Sequence, residues 1–235
     1  MSATASRPAP QPRSPSAWNW WSFFIRFGLT AAALVIWFWT QSLIGARGGT
    51  NSTINDGLHQ FTASLNHYLQ LHTTAANTLL IISSGIIDLL GIFLLGRWLF
   101  GGTLRPFLAL VIVLGLRQIM QALVALPTPP NAIWHYPGFP SLLVTYGVSN
   151  DYFFSGHTAI AVLGAIELAR LRRHWITATG IVVVFFEVAT VLILRAHYTM
   201  DVFTGGVTAF CAIQMADYMS RKLAKKSSSP NSCLS

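Results

Sequence analysis

Two histidines and an aspartate stand at the starts of two apolar runs. Residues 151–158 read Asp-Tyr-Phe-Phe-Ser-Gly-His-Thr, and residues 195–201 read Arg-Ala-His-Tyr-Thr-Met-Asp. Ionisable side chains are costly to bury in a membrane, so their presence there indicates function. His197 and Asp201 are four positions apart, which on a helix puts both side chains on one face about 6 Å apart. We therefore expect the carboxylate of Asp201 to orient the imidazole of His197.

The residues around the first histidine point to phosphate chemistry. An oriented His197 can act as a nucleophile, and His157 can then act as general acid on the leaving group. Ser155 and Gly156 suit the start of a helix, where free backbone N–H groups attract a phosphate. Together these residues predict phosphoryl transfer through a phosphohistidine. The alternative is that the two histidines and the aspartate only join helices through polar contacts, a role that does not require the Ser-Gly pair.

The composition predicts a membrane protein. Of the 235 residues, 53% are apolar and 9% are charged, whereas a soluble domain carries roughly 25% charged residues. The net charge is +8, but the basic residues lie at the ends of apolar segments and form no stripe with interleaved aromatics. We therefore expect membrane lipids and no nucleic acid as partners. The two cysteines exclude a cysteine metal site, and we expect neither a metal nor another cofactor.

The apolar runs predict an all-α integral membrane protein with six transmembrane helices. We expect a disordered arm over residues 1–17, a membrane domain over 18–220 and a basic disordered tail over 221–235. The predicted spans are residues 21–44, 75–95, 107–126, 152–169, 175–194 and 198–218.

The distribution of basic residues predicts the orientation. Lys and Arg concentrate in the N-terminal arm, the second and fourth loops and the tail, so both termini should be cytoplasmic. His157, His197 and Asp201 then start their helices from the lumenal or extracytoplasmic face. We expect the endoplasmic reticulum or Golgi for a eukaryotic chain and the inner membrane for a bacterial one.

Two connecting segments could contribute to a site. Residues 55–71 have apolar residues at helical spacing and predict a helix on the membrane surface. His59, His67 and His72 lie in or beside this segment, but their spacing matches no zinc pattern. Residues 127–150 begin with prolines, which end the preceding helix, and are expected to fold over the site.

The paired motifs resemble a known superfamily. Ser-Gly-His at residues 155–157, followed by His-x-x-x-Asp at 197–201, resembles the type-2 phosphatidic acid phosphatase superfamily. The resemblance implies a six-helix phosphatase-like bundle. It also implies that His197 accepts the phosphate, that Asp201 supports it and that His157 is the acid.

Where the motifs of this chain depart from the phosphatase branch, they resemble the lipid headgroup transferases of the same superfamily. The phosphatase branch has a Lys-x6-Arg-Pro motif, which this chain lacks, and it has proline where Phe154 stands and arginine where Val191 stands. Residues 154–158 and 197–202 closely resemble sphingomyelin synthase, a lipid headgroup transferase. Asp151 matches that pattern as well.

A second transferase resemblance involves two arginines. Arg195 stands two positions before the second histidine, which resembles the corresponding motif of plant phosphatidylcholine:diacylglycerol cholinephosphotransferase. Arg117 and Leu-Pro-x-Pro at 126–129 resemble an arginine and a Leu-Pro-x-Pro motif of the same enzyme. Over roughly residues 115–210, the resemblance implies transfer of a phospho-headgroup, phosphocholine in the favoured case. The donor would be a glycerophospholipid such as phosphatidylcholine, and the acceptor diacylglycerol or ceramide. Hydrolysis of phosphatidic acid or a related lipid phosphate is the alternative.

Both arginines are expected to bind the substrate phosphate. A guanidinium group matches the geometry of phosphate oxygens. Arg195 could instead be an interfacial residue that snorkels to the membrane surface. A buried Arg117 needs a partner, and a purely structural one could be Asp88, Glu167 or Glu187.

Three further residues are candidates for orienting groups or for the headgroup pocket. Asp151 either orients the first histidine or only favours the start of its helix through the dipole. Tyr152, with Trp134 and Tyr136, is either an interfacial aromatic or part of a cation–π cage for choline. Glu187 could supply the counter-charge for such a cage.

Overall fold

The described part of the chain folds into helices and contains no strand. The computed structural model describes residues 20–45, 54–146 and 152–227. The predicted N-terminal arm, the last eight residues of the predicted tail and Asp151 therefore lie outside the described residues. The helices are α1 Trp20–Gly45, α2 Gly57–Phe61, α3 Ala63–Leu71, α4 Thr73–Leu99, α5 Arg105–Leu123, α6 Gly156–Ala169, α7 His174–Ile193 and α8 Thr199–Ser227.

Four of these helices, α1, α4, α5 and α7, are long and apolar enough to cross a membrane. The protein is thus an all-α membrane protein. Helix α6 is apolar but has 14 residues, because it begins only at Gly156. Helix α8 has 29 residues and mixes apolar with threonine, glycine and charged positions. Six membrane spans therefore remain a prediction.

Several helix ends differ from the predicted boundaries. Helix α5 ends at Leu123, since Val124 is already extended ahead of the prolines. The surface segment forms two short helices, α2 and α3, separated at Thr62, where one helix was expected. Helix α8 continues to Ser227, so the predicted start of the disordered tail at residue 221 falls inside a helix.

The main core lies where α4, α5, α6 and α8 meet. Small residues on α8, namely Ala209, Ala212 and Ala216, are fully buried in it and let the helices approach closely. Ion pairs close the end of this bundle that lies away from the histidines. Arg105 donates two hydrogen bonds of 2.9 Å to the buried carboxylate of Glu167. These contacts fix the helices that carry the candidate site.

Gly205 brings α8 against the start of α6. A Cβ at this position would lie 2.6 Å from the carbonyl oxygen of Ser155, whereas a Cβ on Gly206 would lie 4.0 Å from the side chain of Thr158. We expect Gly205→Ala to destabilise the protein by about 1–3 kcal/mol, because backbone must move. Gly206→Ala should be neutral or stabilising, since alanine favours helix. Thermal unfolding in detergent measures both variants, and equal unfolding temperatures would contradict the close approach.

Candidate active site

The start of α6 is built by its Ser-Gly pair, as the motif predicts. Ser155 is the N-cap, and its Oγ accepts a hydrogen bond of 3.3 Å from the N–H of Thr158. The N–H of Ser155 donates to the carbonyl of Asp201 at 3.1 Å, which joins α6 to the first turn of α8. A Cβ on Gly156 would lie 3.1 Å from Nε of Arg117. The missing side chain thus leaves room for the guanidinium beside the helix N-terminus.

His157 is held by packing rather than by a side-chain hydrogen bond. Its imidazole packs edge-on against the ring of Trp134, with 5.2 Å between the ring centroids. The residue is buried, and its Nε2 has no hydrogen-bond partner within the described residues. A buried ring nitrogen without a partner is unusual in a settled core. Such a nitrogen can exchange a proton with a group bound beside it.

His197 lies in the turn just before α8. Its Nδ1 donates a hydrogen bond of 2.8 Å to the carbonyl oxygen of Tyr152. Because a carbonyl can only accept, the proton of the neutral ring sits on Nδ1 and the lone pair is on Nε2. The backbone of Tyr152 thus selects the tautomer that a nucleophile needs.

Asp201 does not hold His197 in the way the spacing predicted. Helix α8 begins at Thr199, so His197 precedes the helix and the two residues do not share a helical face. Oδ2 of Asp201 lies 3.8 Å from Nδ1 of His197, too far for a hydrogen bond. It accepts the N–H of Tyr198 at 2.9 Å instead. The buried carboxylate therefore lies near the imidazole of His197 without a hydrogen bond to it.

The two histidines line one small cavity. Arg117, Gly156 and Tyr152 line it with them. The cavity volume is about 30 Å³, room for roughly two waters, so a group as large as a phosphate would enter only if some of the surrounding side chains moved. The loop between α5 and α6 and neighbouring helices supply the remaining walls, which are Trp37, Ile87, Leu114, Trp134, Leu143, Val144, Thr145, Ile160 and Ala196.

Arg117 places a buried cation on this cavity. Its Nε donates to the carbonyl of Phe154 at 3.1 Å, just before the cap of α6. The three carboxylates considered as structural partners have contacts of their own. Glu167 bonds to Arg105, Glu187 accepts from Ser83, and Asp88 accepts from residues 141–143.

Arg195 does not line the cavity. Its two terminal nitrogens donate to the carbonyls of Pro130 at 2.8 Å and His59 at 3.2 Å. Its backbone has a positive φ of 53°. The side chain therefore ties helix α2 and the loop after α5 to the segment that carries His197, and the phosphate-binding role expected of Arg195 stays a prediction.

The other candidates divide between the cavity and its surroundings. Tyr152 and Trp134 line the cavity, and the hydroxyl of Tyr152 donates to Thr128 at 3.1 Å. Tyr136 is exposed and lies outside the cavity lining. Glu187 is fully buried but bonds to Ser83 at 2.6 Å, away from the cavity lining. Of the three aromatics that the sequence offered either as interfacial residues or as a cation–π cage, the structure thus brings Tyr152 and Trp134 to the cavity.

The sequence did not predict a role for Asp56, and it offered His59 only as a possible metal ligand. Asp56 accepts hydrogen bonds from the N–H groups of Leu58 and His59 as the N-cap of α2. The same carboxylate accepts the N–H of Thr199 at 2.7 Å and its hydroxyl at 2.6 Å, so it caps α8 as well. His59 donates from Nε2 to the carbonyl of His197 at 3.0 Å. The signal that could have found them is the Asp-Gly pair ahead of a helical run.

The electrostatics of Asp56 are set by two opposing effects. Partial burial raises the pKa of its carboxyl group, but the hydrogen bonds from Thr199 and the backbone of His59 outweigh burial and lower the pKa below the ordinary 3.8. The double cap is therefore charged at neutral pH. It fixes the turn in which His197 lies.

The chain is similar to a family of known proteins. The profile of the AtPDCT1/2 family matches residues 55–218, which extend from the start of α2 into α8. The chain belongs to the AtPDCT1/2 family. Phosphatidylcholine:diacylglycerol cholinephosphotransferase 1 of Arabidopsis thaliana is 24% identical over 144 residues, which are 61% of this chain and 46% of that protein. The chain thus spans less than half of that relative's length. No solved structure matches the chain significantly.

Proposed function

We propose that the protein is a membrane enzyme that transfers phosphocholine from phosphatidylcholine to diacylglycerol or ceramide. The observation that carries this proposal is the single cavity lined by His157, His197 and Arg117. Two imidazoles and a guanidinium supply a nucleophile, an acid and a cation for a phosphodiester. Membership of the AtPDCT1/2 family and the name of the Arabidopsis relative support a lipid headgroup as the group that moves.

In the first step, Nε2 of His197 attacks the phosphorus of phosphatidylcholine. The N–P bond forms, the P–O bond to diacylglycerol breaks, and the departing oxygen takes a proton from Nε2 of His157. The charge of Asp201 stabilises the cationic imidazole that results. Arg117 and the backbone N–H groups at the start of α6 neutralise the phosphate oxygens as charge builds up in the transition state.

In the second step, an acceptor hydroxyl reverses these events. It gives its proton to His157 and attacks the phosphorus of the phosphohistidine, which restores His197. Diacylglycerol as acceptor yields phosphatidylcholine, and ceramide yields the corresponding sphingolipid. With water as acceptor the same residues would hydrolyse a lipid phosphate. No metal or other cofactor enters either step.

The membrane arrangement is part of the proposal. Helices α6 and α8 are taken to join the four long apolar helices, which gives six spans and a bundle of the type-2 phosphatidic acid phosphatase kind. The distribution of Lys and Arg supports cytoplasmic termini. The cavity then opens to the lumenal or extracytoplasmic side, in the endoplasmic reticulum or Golgi of a eukaryote or the inner membrane of a bacterium.

A label-transfer assay tests the proposal. Purified protein is incubated with phosphatidylcholine labelled in its phosphate, together with diacylglycerol of a distinguishable chain length or with ceramide. Label in a new phospholipid or sphingolipid supports transfer and names the acceptor. Water-soluble labelled phosphocholine, or inorganic phosphate released from phosphatidic acid, would establish the hydrolase instead. Folded protein that turns over none of these lipids would refute both.

Asp56 offers a test of how the turn of His197 is positioned. We expect Asp56→Ala to lower kcat by on the order of 10–100-fold with little change in KM, because a small displacement of the nucleophile is costly. Asp56→Asn, which keeps one acceptor, should recover part of the loss. Steady-state kinetics of headgroup transfer measure both. Asp217→Asn, a carboxylate of the distant ion-pair cluster, is the matched control and should retain wild-type kcat.

The sign of the pH effect follows from the lowered pKa of Asp56. The carboxylate contributes its full stabilisation above the ordinary pKa of 3.8, and this contribution is lost as the pH falls through the lowered value. Between pH 5 and 9 the ratio of Asp56→Ala to wild-type kcat should therefore stay constant. A ratio that changed within this range would show that another group controls the turn.

A further inference from the structure

An apolar groove runs along the membrane-facing side of the bundle between α1 and α5. Its volume is about 320 Å³. Helices α1 and α5 form most of its walls, with Leu34 from α1 and Phe107, Leu110 and Val111 from α5 among them. The proposed reaction uses none of these residues.

The groove shares two walls with the cavity of the histidines. Trp37 from α1 and Leu114 from α5 line both spaces. The apolar groove and the polar cavity are therefore neighbours, separated by two side chains. A molecule with an apolar tail and a phosphate could occupy both at once.

The register of α5 places the two spaces at the same depth. Arg117 lines the cavity and the next residue, Gln118, lines the groove. From Gln118 the groove follows α5 back to Phe107, about 16 Å at the helical rise per residue. One leaflet of a bilayer has a hydrocarbon depth of about 15 Å. The groove thus starts beside the phosphate site and is about as long as one leaflet is deep.

Buried polar groups lie on or next to the residues that line the end of the groove beside the cavity. Gln118 donates from its amide to Oε1 of Gln41 at 2.7 Å. Within the described residues, Nε1 of Trp37 and the amide nitrogen of Gln41 are buried and have no acceptor. Trp37 is 6% exposed and Gln41 3%. Buried donors at membrane depth need an acceptor, and a lipid ester carbonyl can supply it.

We infer that this groove binds an acyl chain of the phosphatidylcholine donor, with its ester carbonyl at Trp37 and Gln41 and its phosphate beside Arg117. The inference rests on the proposed function, since it names the part of the lipid that the reaction leaves unchanged. It makes chain length, and not only the headgroup, a determinant of which lipid reacts. Burial of many methylenes in the groove supplies binding energy that orients the phosphate.

Cross-linking tests the site without catalysis. The probe is phosphatidylcholine with a photoactivatable diazirine in one acyl chain, added to the His197→Ala variant in vesicles. We expect cross-links on residues 30–40 and 107–118 that an excess of unlabelled long-chain phosphatidylcholine competes away. Cross-links spread evenly over all lipid-facing helices, or insensitive to that excess, would mean adventitious lipid only and would overturn the inference.

A filling mutation tests the site in the active enzyme. Gly115 lines the groove, and a Cβ there meets nothing within 4 Å, so Gly115→Phe adds a bulky side chain to the groove wall without a clash at its Cβ. Gly85→Phe on α4 is the matched control, because Gly85 is equally open and lies outside the groove. We expect Gly115→Phe to lower kcat/KM for long-chain phosphatidylcholine about tenfold or more and to leave a six-carbon-chain analogue within about twofold. Gly85→Phe should change neither.

The outcomes separate this inference from the proposed function. If Gly115→Phe matches Gly85→Phe on the long-chain lipid, the groove does not bind the donor and the inference fails while the transferase stands. If the wild-type protein transfers no headgroup, the proposed function fails. The competed cross-links still decide whether the groove binds the lipid.

Discussion

Replacing His197 with alanine should lower the kcat of headgroup transfer by at least about a thousandfold. The loss is large because removing the nucleophile removes the covalent route, and the other residues of the cavity alone support only slow turnover. Nδ1 of His197 is committed to the carbonyl of Tyr152 at 2.8 Å. Nε2 is consequently the atom that can reach phosphorus. A water or hydroxyl that attacked in its place would lack the hydrogen bond that orients the imidazole.

The intermediate can be trapped directly. Wild-type protein exposed briefly to phosphate-labelled phosphatidylcholine should carry label that acid removes and alkali does not, as expected of a phosphorus–nitrogen bond. The His197→Ala variant should carry none. His67→Ala is the control, because His67 is an exposed histidine on α3 and should leave both labelling and turnover at wild-type levels. Turnover above a tenth of wild type in His197→Ala would eliminate the phosphohistidine route.

What the sequence predicted well is local. The cap of α6 needs only a serine whose Oγ accepts from an N–H three residues later, so four consecutive residues are enough to predict it. The long apolar helices are also local features of composition. The sequence also predicted one pocket for both histidine motifs, from an assumed six-span topology. Both histidines line one cavity, while the topology stays a prediction. The cap and the long helices were predictable because short-range physics determines them.

What the sequence did not predict depends on the residue at which α8 begins and on contacts between residues far apart in the chain. Helix α8 starts at Thr199, so the spacing of His197 and Asp201 could not be converted into a helical face. The actual orienting group is a backbone carbonyl on Tyr152, 45 residues away, and a carbonyl has no sequence signature. Asp56 reaches Thr199 across 143 residues. Contacts of this kind arise only when the bundle has formed.

The second large effect is expected at His157. Its Nε2 is buried and without a partner in the described part of the chain, which suits a group that gives a proton to a departing oxygen. We expect His157→Ala to lower kcat with phosphatidylcholine by on the order of 10²–10⁴-fold, the range typical of a lost general acid. The alkoxide of diacylglycerol is a poor leaving group without a proton, so the P–O bond then breaks slowly.

A substrate with a better leaving group separates this role from a structural one. p-Nitrophenyl phosphocholine releases a stable phenolate that needs no proton, so its release as nitrophenolate by His157→Ala should approach the wild-type rate in the first turnover. His197→Ala should remain inactive on the same compound, because the nucleophile is still missing. If His157→Ala loses both substrates equally, the imidazole only supports the wall formed with Trp134, whose ring it contacts. Single-turnover rates of the two variants on the two substrates thus assign the acid and the nucleophile independently, since protonation matters only where the leaving oxygen is basic.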